Sequence, residues 1–158
     1  MSLNTLDKTD RQILNLLQKN GRLSNQDLAD KIALSPSPCL RRVKRLEEEG
    51  YIKGYAARVD ADRIGRGLIA FVSIRLNKHS GSSHAPMQDF NRDVQLWPEV
   101  VECHSMSGDM DYLLRVQVQD LAAFSAFAMN VLMQHPSVVD MRSSFALGKI
   151  KESGVLLV

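Results

Sequence analysis

One stretch of sequence decides how the first part of this chain folds: Leu34-Ser35-Pro36-Ser37-Pro38-Cys39-Leu40-Arg41-Arg42-Val43-Lys44-Arg45-Leu46. Ser35-Pro36 is a typical helix start, because proline is tolerated in the first turn, where its missing N–H is not needed. Apolar residues then recur at helical spacing and predict one packed side of the helix: Cys39, Leu40, Val43 and Leu46. Between residues 35 and 45 there are four Lys or Arg and no acid.

Two shorter helices are predicted upstream of this stretch. Their apolar residues also fall at helical spacing, at Ile13, Leu14 and Leu17 and then at Leu28, Ala29 and Ile32. Asn20-Gly21 ends the first helix, and Ser24 with Asp27 three residues later predicts a capped start for the second. Only Leu34 and its neighbours separate the second helix from the third. Such a tight connection is typical of a helix-turn-helix.

The outward side of the third helix is a candidate surface for double-stranded DNA. A recognition helix packs its apolar side on the other helices and points donors outward, where arginine can fork onto guanine edges and lysine or hydroxyl groups can reach phosphates. The alternative is that the cations only solvate the helix and balance Glu47 to Glu49. The residues predicted to bind DNA are Ser35, Ser37, Pro38, Arg41, Arg42, Lys44 and Arg45.

The composition describes a globular protein whose charge is unevenly distributed. The chain has 158 residues, 44% hydrophobic side chains and a net charge of +2. Residues 1–63 hold twelve Lys or Arg against nine Asp or Glu, and the remainder holds eight against nine. The basic part is therefore the predicted DNA-binding part. No stretch is long and apolar enough for a membrane span or an export signal, so we expect a cytoplasmic, nucleoid-associated protein with no membrane partner.

Beyond residue 67 the apolar residues no longer follow the helical spacing but occur at every second position. Alternating residues predict strands around Ala70 to Leu76, Val100 to Met106, Tyr112 to Val118 and Val139 to Leu147, with helices near Pro86 to Leu96 and after Asp120. The order βαββαβ is that of a ferredoxin-like domain. Both helices cover one face of the sheet, and we expect the other face to pair with a second copy.

These elements define an α+β protein with two domains. Residues 1–59 form the helix-turn-helix domain, with Tyr51 to Val59 as an extended segment. Residues 60–67 are predicted to form a hinge, and residues 68–158 the ferredoxin-like domain, through which a second copy is expected to pair.

Other residue groups give weaker indications. His104, Ser107 and Asp111 lack the spacing of a hydrolytic triad, so no enzyme activity is expected. His79 and His84 have no third metal ligand near them, and no metal or cofactor is predicted. Two cysteines cannot form a disulfide framework, and Cys39 is interpreted as a core thiol rather than a redox switch.

Four spaced motifs carry a resemblance to a known family. They are Leu6-Asp7-x-x-Asp10-x-x-Ile13-Leu14, the stretch from Leu34 to Glu47, Gly50-Tyr51-Ile52, and Ser107-Gly108-Asp109-x-Asp111-Tyr112-Leu113-Leu114. In this order, over nearly the whole chain, they resemble the Lrp/AsnC ("feast/famine") transcriptional regulators. The resemblance implies a winged or plain helix-turn-helix, a hinge, and a ferredoxin-like domain that forms homodimers and higher oligomers such as octamers. It also implies a small amino acid as effector, with leucine, another branched-chain amino acid or a different amino acid left open.

The resemblance places the effector at the turn around Gly108 to Asp111, at an interface between dimers. Asp109 and Asp111 would bind the ammonium group, and backbone N–H groups near Gly108 would bind the carboxylate. Alternatively, Gly108 and Asp109 serve only to form the hairpin turn and bind no ligand. The other residues assigned to this site are Ser105, Met106, Tyr112, Ser144 and Ala146.

Two further interpretations remain open. An architectural protein would bend and wrap DNA with little sequence preference and little ligand dependence. A stand-alone amino-acid-sensing module would regulate an enzyme, although the arginine cluster argues against this.

Overall fold

The computed structural model describes residues 6–77, 86–151 and 155–158. The chain divides into two compact units, Met1–Arg58 together with Ile150–Val158, and Val59–Lys149. The sequence predicts that residues 68–158 form the second domain. In the structure Ile150–Val158 instead belong to the first unit, where Leu156 bonds to the first helix and Val158 packs on the core. Among the described residues, no helix is long and apolar enough to cross a membrane.

Three helices build the first unit, α1 (Lys8–Lys19), α2 (Asn25–Lys31) and α3 (Pro36–Glu48). Asp7 and Asp10 form a capping box at the start of α1, and Ser24 and Asp27 form the predicted one at α2. Pro36 is the first residue of α3, as its sequence predicts. The core of the unit consists of Ile13, Leu14, Leu28, Ala29, Ile32, Cys39 and Leu46.

The connection between α2 and α3 is as tight as predicted. Ala33 adopts a left-handed conformation with φ of 54°, which is uncommon for a residue with a Cβ. The N–H of Leu34 donates to the carbonyl of Ala29 at 3.0 Å and closes the turn. The helix-turn-helix prediction is confirmed.

The segment after α3 differs from the extended strand expected for Tyr51 to Val59. Residues 53–60 are described, and none of them belongs to a strand. Tyr55 instead lies beside Gly21 and donates its hydroxyl to Glu47 Oε1 at 2.9 Å. Burial and the neighbouring Glu47 carboxylate raise the pKa of Tyr55 to about 12, so the phenol remains a hydrogen-bond donor. In this structure the helix-turn-helix is therefore plain rather than winged.

The second unit contains a four-stranded antiparallel sheet with the strand order β2-β3-β1-β4. The strands are β1 (Leu68–Leu76), β2 (Val100–Ser105), β3 (Tyr112–Val118) and β4 (Val138–Phe145). Helix α4 (Pro86–Asp93) continues as a 3₁₀ turn at Val94–Leu96, and α5 (Leu121–Phe127) continues as a π-helical turn at Ala128–Leu132. The predicted βαββαβ order is confirmed.

The core of the second unit lies between the sheet and its helices. The period-two residues predicted for the first and third strands are all buried, and Phe90, Phe124, Phe127 and Leu132 cover them. Two apolar residues at the ends of the predicted helices and strands are not part of this core. Leu121 is 60% exposed at the start of α5, and Leu147 is fully exposed beyond the end of β4.

The other face of the sheet is open and mixed in character. Phe71 is 41% exposed near its centre. Two ion pairs flank it, Arg115 with Glu102 at 2.7 Å and Arg75 with Asp140 at 3.0 Å. An apolar centre with charged groups around it is the usual anatomy of a protein interface.

Phe90 holds the helix layer of the second unit to the sheet. Its ring is fully buried and contacts the rings of Trp97, Tyr112 and His135, with centroid distances of 5.5, 4.7 and 5.4 Å.

We expect Phe90→Ala to lower the free energy of unfolding by about 3–4 kcal/mol, because it leaves a cavity in a packed core. Urea denaturation followed by the fluorescence of Trp97, the only tryptophan in the chain, measures this. The control Met87→Ala, at an exposed position of α4, should change stability by less than about 0.5 kcal/mol. Equal midpoints for the two variants would contradict the assignment.

Candidate functional site

The outer face of α3 consists of Ser37, Arg41 and Lys44. All three are exposed, and their spacing of four and three residues places them on one side of the helix. Ser35 precedes them, is also exposed, and makes no side-chain hydrogen bond to the helix that it caps. Pro38 is half-buried. Leu40, which was predicted for the packed side, is 43% exposed beside this face.

Arg42 and Arg45 point differently from the sequence-based expectation, which directed all four cations outward. Arg42 Nη1 lies 2.6 Å from Asp7 Oδ2 and 2.8 Å from Asp10 Oδ1, and Arg45 Nη2 lies 2.5 Å from Asp10 Oδ2. The Asp10 side chain is only 2% exposed, so its charge needs both partners to offset the cost of desolvation. We call these four residues the Asp10 cluster. Two of the predicted DNA-binding cations therefore hold α3 against α1.

The Asp10 cluster is formally neutral. The backbone N–H of Asp10 and the guanidinium of Arg42 hold the pKa of Asp7 below its usual value, and the two carboxylates raise the pKa of Arg42. The two acids offset the charges of Arg42 and Arg45. Arg41 and Lys44 are exposed and stand outside this cluster, whereas the side chains of Arg42 and Arg45 are 31% and 41% exposed while paired with its acids.

A second candidate site is the turn between β2 and β3, residues 106–111, which forms the predicted hairpin. Gly108 has a φ of 115°, a conformation that side chains rarely allow, so the turn requires glycine there. The N–H of Met106 donates to the carbonyl of Asp111 at 2.8 Å and closes the turn. Asp109 is exposed at its tip.

Asp111 is buried, in contrast to Asp109. Its Oδ2 accepts a hydrogen bond from the N–H of Leu76 at 2.8 Å, and its own N–H donates to the carbonyl of Ile74 at 2.8 Å. Asp111 therefore ties the turn to the end of β1. Of the two acids predicted to bind an ammonium group, Asp109 faces solvent and Asp111 supports the backbone.

The remaining predicted effector residues lie in different surroundings. Ser105 and Met106 are exposed at the end of β2. Tyr112 is only 2% exposed, and its hydroxyl donates to Asn91 Oδ1 at 2.8 Å. Burial raises the pKa of this phenol. Its side chain belongs to the core rather than to an open site.

Ser144 is not brought to the turn within one chain. It pairs with Phe71, whereas Tyr112, at the turn, pairs with Ile74 three positions along β1. Ser144 and Phe71 share the open face, and Ile74 and Tyr112 point to the helices. Ala146 lies farther still, with its N–H bonded to the carbonyl of Ile69. Within one chain the turn therefore joins Ser105, Met106, Gly108, Asp109 and Asp111.

Among the described residues, the groups with weaker indications do not assemble into reactive sites. His104 is exposed with Nε2 at 3.7 Å from Glu102, and Asp111 is bonded to Leu76, so the imagined triad does not form. Burial raises the pKa of Cys39, as in an unreactive core thiol. His79 and His84 lie outside the described residues.

Sequence reasoning missed the partners of the two arginines. Asp7 and Asp10 were noted as part of a motif, without a role. Their spacing of three residues at a helix start predicts a capping box, and that box is present. This spacing does not show that the same carboxylates also form ion pairs with arginines of α3, more than 30 residues away along the chain.

Two family models match the chain. Residues 6–53 match the winged helix-turn-helix DNA-binding model, and residues 69–156 match the Lrp/AsnC ligand binding domain. The chain is 41% identical over 153 residues to the leucine-responsive regulatory protein of Escherichia coli, covering 97% of this chain and 92% of that protein.

Two crystal structures have the same fold. One is a transcriptional regulator of Neisseria meningitidis in complex with L-methionine, with a TM-score of 0.90, 44% identity and coverage of 96% of each chain. The other is a regulator of the AsnC family from Agrobacterium tumefaciens, with a TM-score of 0.85, 41% identity and coverage of 95% of each chain.

The Asp10 cluster predicts a stability defect in the first unit. Asp10→Asn keeps the shape and an acceptor for the capping box but removes the buried charge that holds Arg42 and Arg45. We expect the free energy of opening of α1 and α3 to fall by about 2 kcal/mol, measured by hydrogen exchange. Asp30→Asn, at an exposed position of α2, is the matched control and should have little effect. If both variants exchange alike, the cluster does not stabilise the unit.

Proposed function

Because this chain belongs to the Lrp/AsnC family of transcriptional regulators, we propose that the outer face of α3 contacts a specific DNA site and that an amino acid bound at the β2–β3 turn alters this contact. The main support for DNA binding by α3 is that its four cations fall into two pairs with different surroundings. Arg42 and Arg45 are held by buried acid, and Arg41 and Lys44 remain exposed with Ser37.

This division suggests different roles in DNA binding. Arg41 can fork onto a guanine edge, whereas Lys44 and the hydroxyls of Ser35 and Ser37 can reach phosphates. Arg42 and Arg45 act by fixing the orientation of α3 through the Asp10 cluster. Pro38 lies in the first turn of α3, where it stiffens the backbone that presents Ser37. The outer face of α3, together with Ser35 just before the helix, is the surface that we propose to contact DNA.

The effector half rests on the exposed turn. Asp109 offers a carboxylate to the ammonium group, and backbone N–H groups beside Gly108 offer donors to the carboxylate. Asp111 keeps the turn in place through Leu76. The relatives are a leucine-responsive protein and a regulator in complex with L-methionine, so an apolar amino acid is the effector class we propose.

The open face of the sheet is the proposed interface with a second copy. Phe71 would be buried there, and the two flanking ion pairs would form its rim. Ser144 lies on this face, so a site that includes both Ser144 and the turn needs more than one chain. We therefore propose a homodimer, and we extend the proposal to further assembly, up to an octamer, working on DNA in the nucleoid.

The first test concerns the outer face of α3. We expect Arg41→Ala with Lys44→Ala to weaken binding to a selected DNA site and to reduce the slope of log affinity against log salt by about 0.9 for each lost phosphate contact. Fluorescence anisotropy over a salt series measures both quantities. Arg92→Ala, an exposed cation of the second unit, is the control that should bind normally.

Two outcomes of this test contradict the proposal. Normal binding by the double variant would show that the outer face of α3 does not contact DNA. Wild-type affinity for the selected site only a few times greater than for random duplex at the same salt would favour an architectural protein.

The second test separates the two acids of the turn. Asp109→Ala should abolish the thermal shift produced by L-methionine or L-leucine without changing the melting temperature of the free protein, because Asp109 is exposed. Asp111→Ala should lower the melting temperature of the free protein, because the N–H of Leu76 loses its acceptor. Differential scanning fluorimetry with all twenty amino acids gives both results. A ligand shift that survives Asp109→Ala would place the ammonium site elsewhere.

A further inference from the structure

The C-terminal residues of the chain lie on α1 of the helix-turn-helix unit. The N–H of Leu156 donates to Gln18 Oε1 at 2.7 Å, and Gln18 Nε2 donates to the carbonyl of Leu156 at 3.1 Å. One side-chain amide thus satisfies both backbone groups of one tail residue, as a neighbouring strand would. Gln18 therefore captures the tail through its backbone rather than through its side chains.

Apolar contact adds to this capture at one position only. Val158 is half-buried against the core of the first unit. The side chains of Leu156 and Leu157 are 76% and 102% exposed and contribute little. Residues 155–158, which we call the C-terminal strap, are held by one amide and one apolar side chain.

The origin of the strap gives this contact its significance. The chain leaves the first unit at Val59, forms the second unit, and returns at Ile150. The last strand of the second unit ends at Phe145, directly after Ser144, and Leu156 lies eleven residues farther on. The two units are therefore joined by the chain twice, and the second connection begins after the strand that carries Ser144, a residue predicted for the effector site.

We propose that the C-terminal strap is a detachable part of the helix-turn-helix unit, through which the ligand-binding domain acts on it. This rests on the proposed amino-acid response of the second unit. Whatever changes the ability of the strap to reach α1 changes the stability of the unit that carries α3. Coupling of this kind is reciprocal, so DNA binding and ligand binding would shift each other through strap docking.

The strap is weakly enough held to detach. The two hydrogen bonds are exposed to solvent, and together they favour the docked form by about ten- to a hundredfold. The undocked form is then a minor state, populated at about 1–10%, which a ligand can enrich. A strap buried in a large apolar interface would not respond in this way.

The test replaces Gln18 while leaving the tail intact. Gln18→Met keeps the length and helix propensity of the side chain but removes both hydrogen bonds. Gln12→Met, at an exposed position of the same helix, is the matched control. Both variants are made in the full-length protein, and the probes are L-methionine, L-leucine and a selected DNA duplex.

Three measurements are made on each protein. Amide hydrogen exchange of Leu156 should become about tenfold faster in Gln18→Met and stay unchanged in Gln12→Met. The ratio of DNA dissociation constants with and without amino acid should move toward one in Gln18→Met only. The affinity for the amino acid, measured by calorimetry, should rise several-fold in Gln18→Met, because this variant already populates the undocked form that the ligand enriches, and should stay unchanged in Gln12→Met.

Each other outcome counts against the inference in an identifiable way. Unchanged exchange at Leu156 would show that Gln18 does not hold the strap. Faster exchange with an unchanged DNA ratio would show that the strap carries no coupling. If the DNA dissociation constants of the wild-type protein with and without amino acid are equal, both the coupling and the proposed effector response are wrong. If these two constants differ by the same factor in all three proteins, only the role of the strap is wrong.

Discussion

The buried carboxylate of Asp10 is the constraint on which the first unit depends. A charge with 2% exposure must have cations beside it, and only Arg42 and Arg45 of α3 reach it. Because each arginine is fixed at its tip, the rotation of α3 about its own axis is fixed as well. Ser37, Arg41 and Lys44 then face solvent as a consequence. The cluster thus separates Arg42 and Arg45 from Arg41 and Lys44, the two cations proposed to contact DNA.

The second unit also has a buried carboxylate that fixes a local structure, in this case the turn between β2 and β3. Asp109 and Asp111 are two residues apart, yet Asp111 is buried against the end of β1 and Asp109 is exposed. The buried carboxylate accepts a backbone N–H that would otherwise lack a partner, and so it fixes the turn. The exposed carboxylate is the one proposed to bind the ligand. In both units a buried acid fixes the position of an exposed neighbour.

Much of the fold could be predicted because its signals are local. Ser24 with Asp27, Pro36 and Asp120 each begin a helix as expected, and alternating residues such as Val72 and Leu114 are buried as expected. The errors concern contacts between distant residues. The partners of Arg42 and Arg45, the separation of Ser144 from the turn, and the docking of Leu156 on Gln18 depend on packing and register, which no local pattern records. Leu147 was assigned to a strand by its alternation alone, although β4 ends before it.

The sequence by itself determined that a basic three-helix unit precedes a βαββαβ domain, because caps, periodicity and turn residues act over a few neighbours. It also indicated where DNA and an amino acid would bind, through the composition of α3 and the glycine turn. Only the tertiary structure decided which residues of each set are available and which are used for support. That choice depends on burial, since the desolvation of Asp10 and Asp111 forces them to find partners that lie more than 30 residues away along the chain.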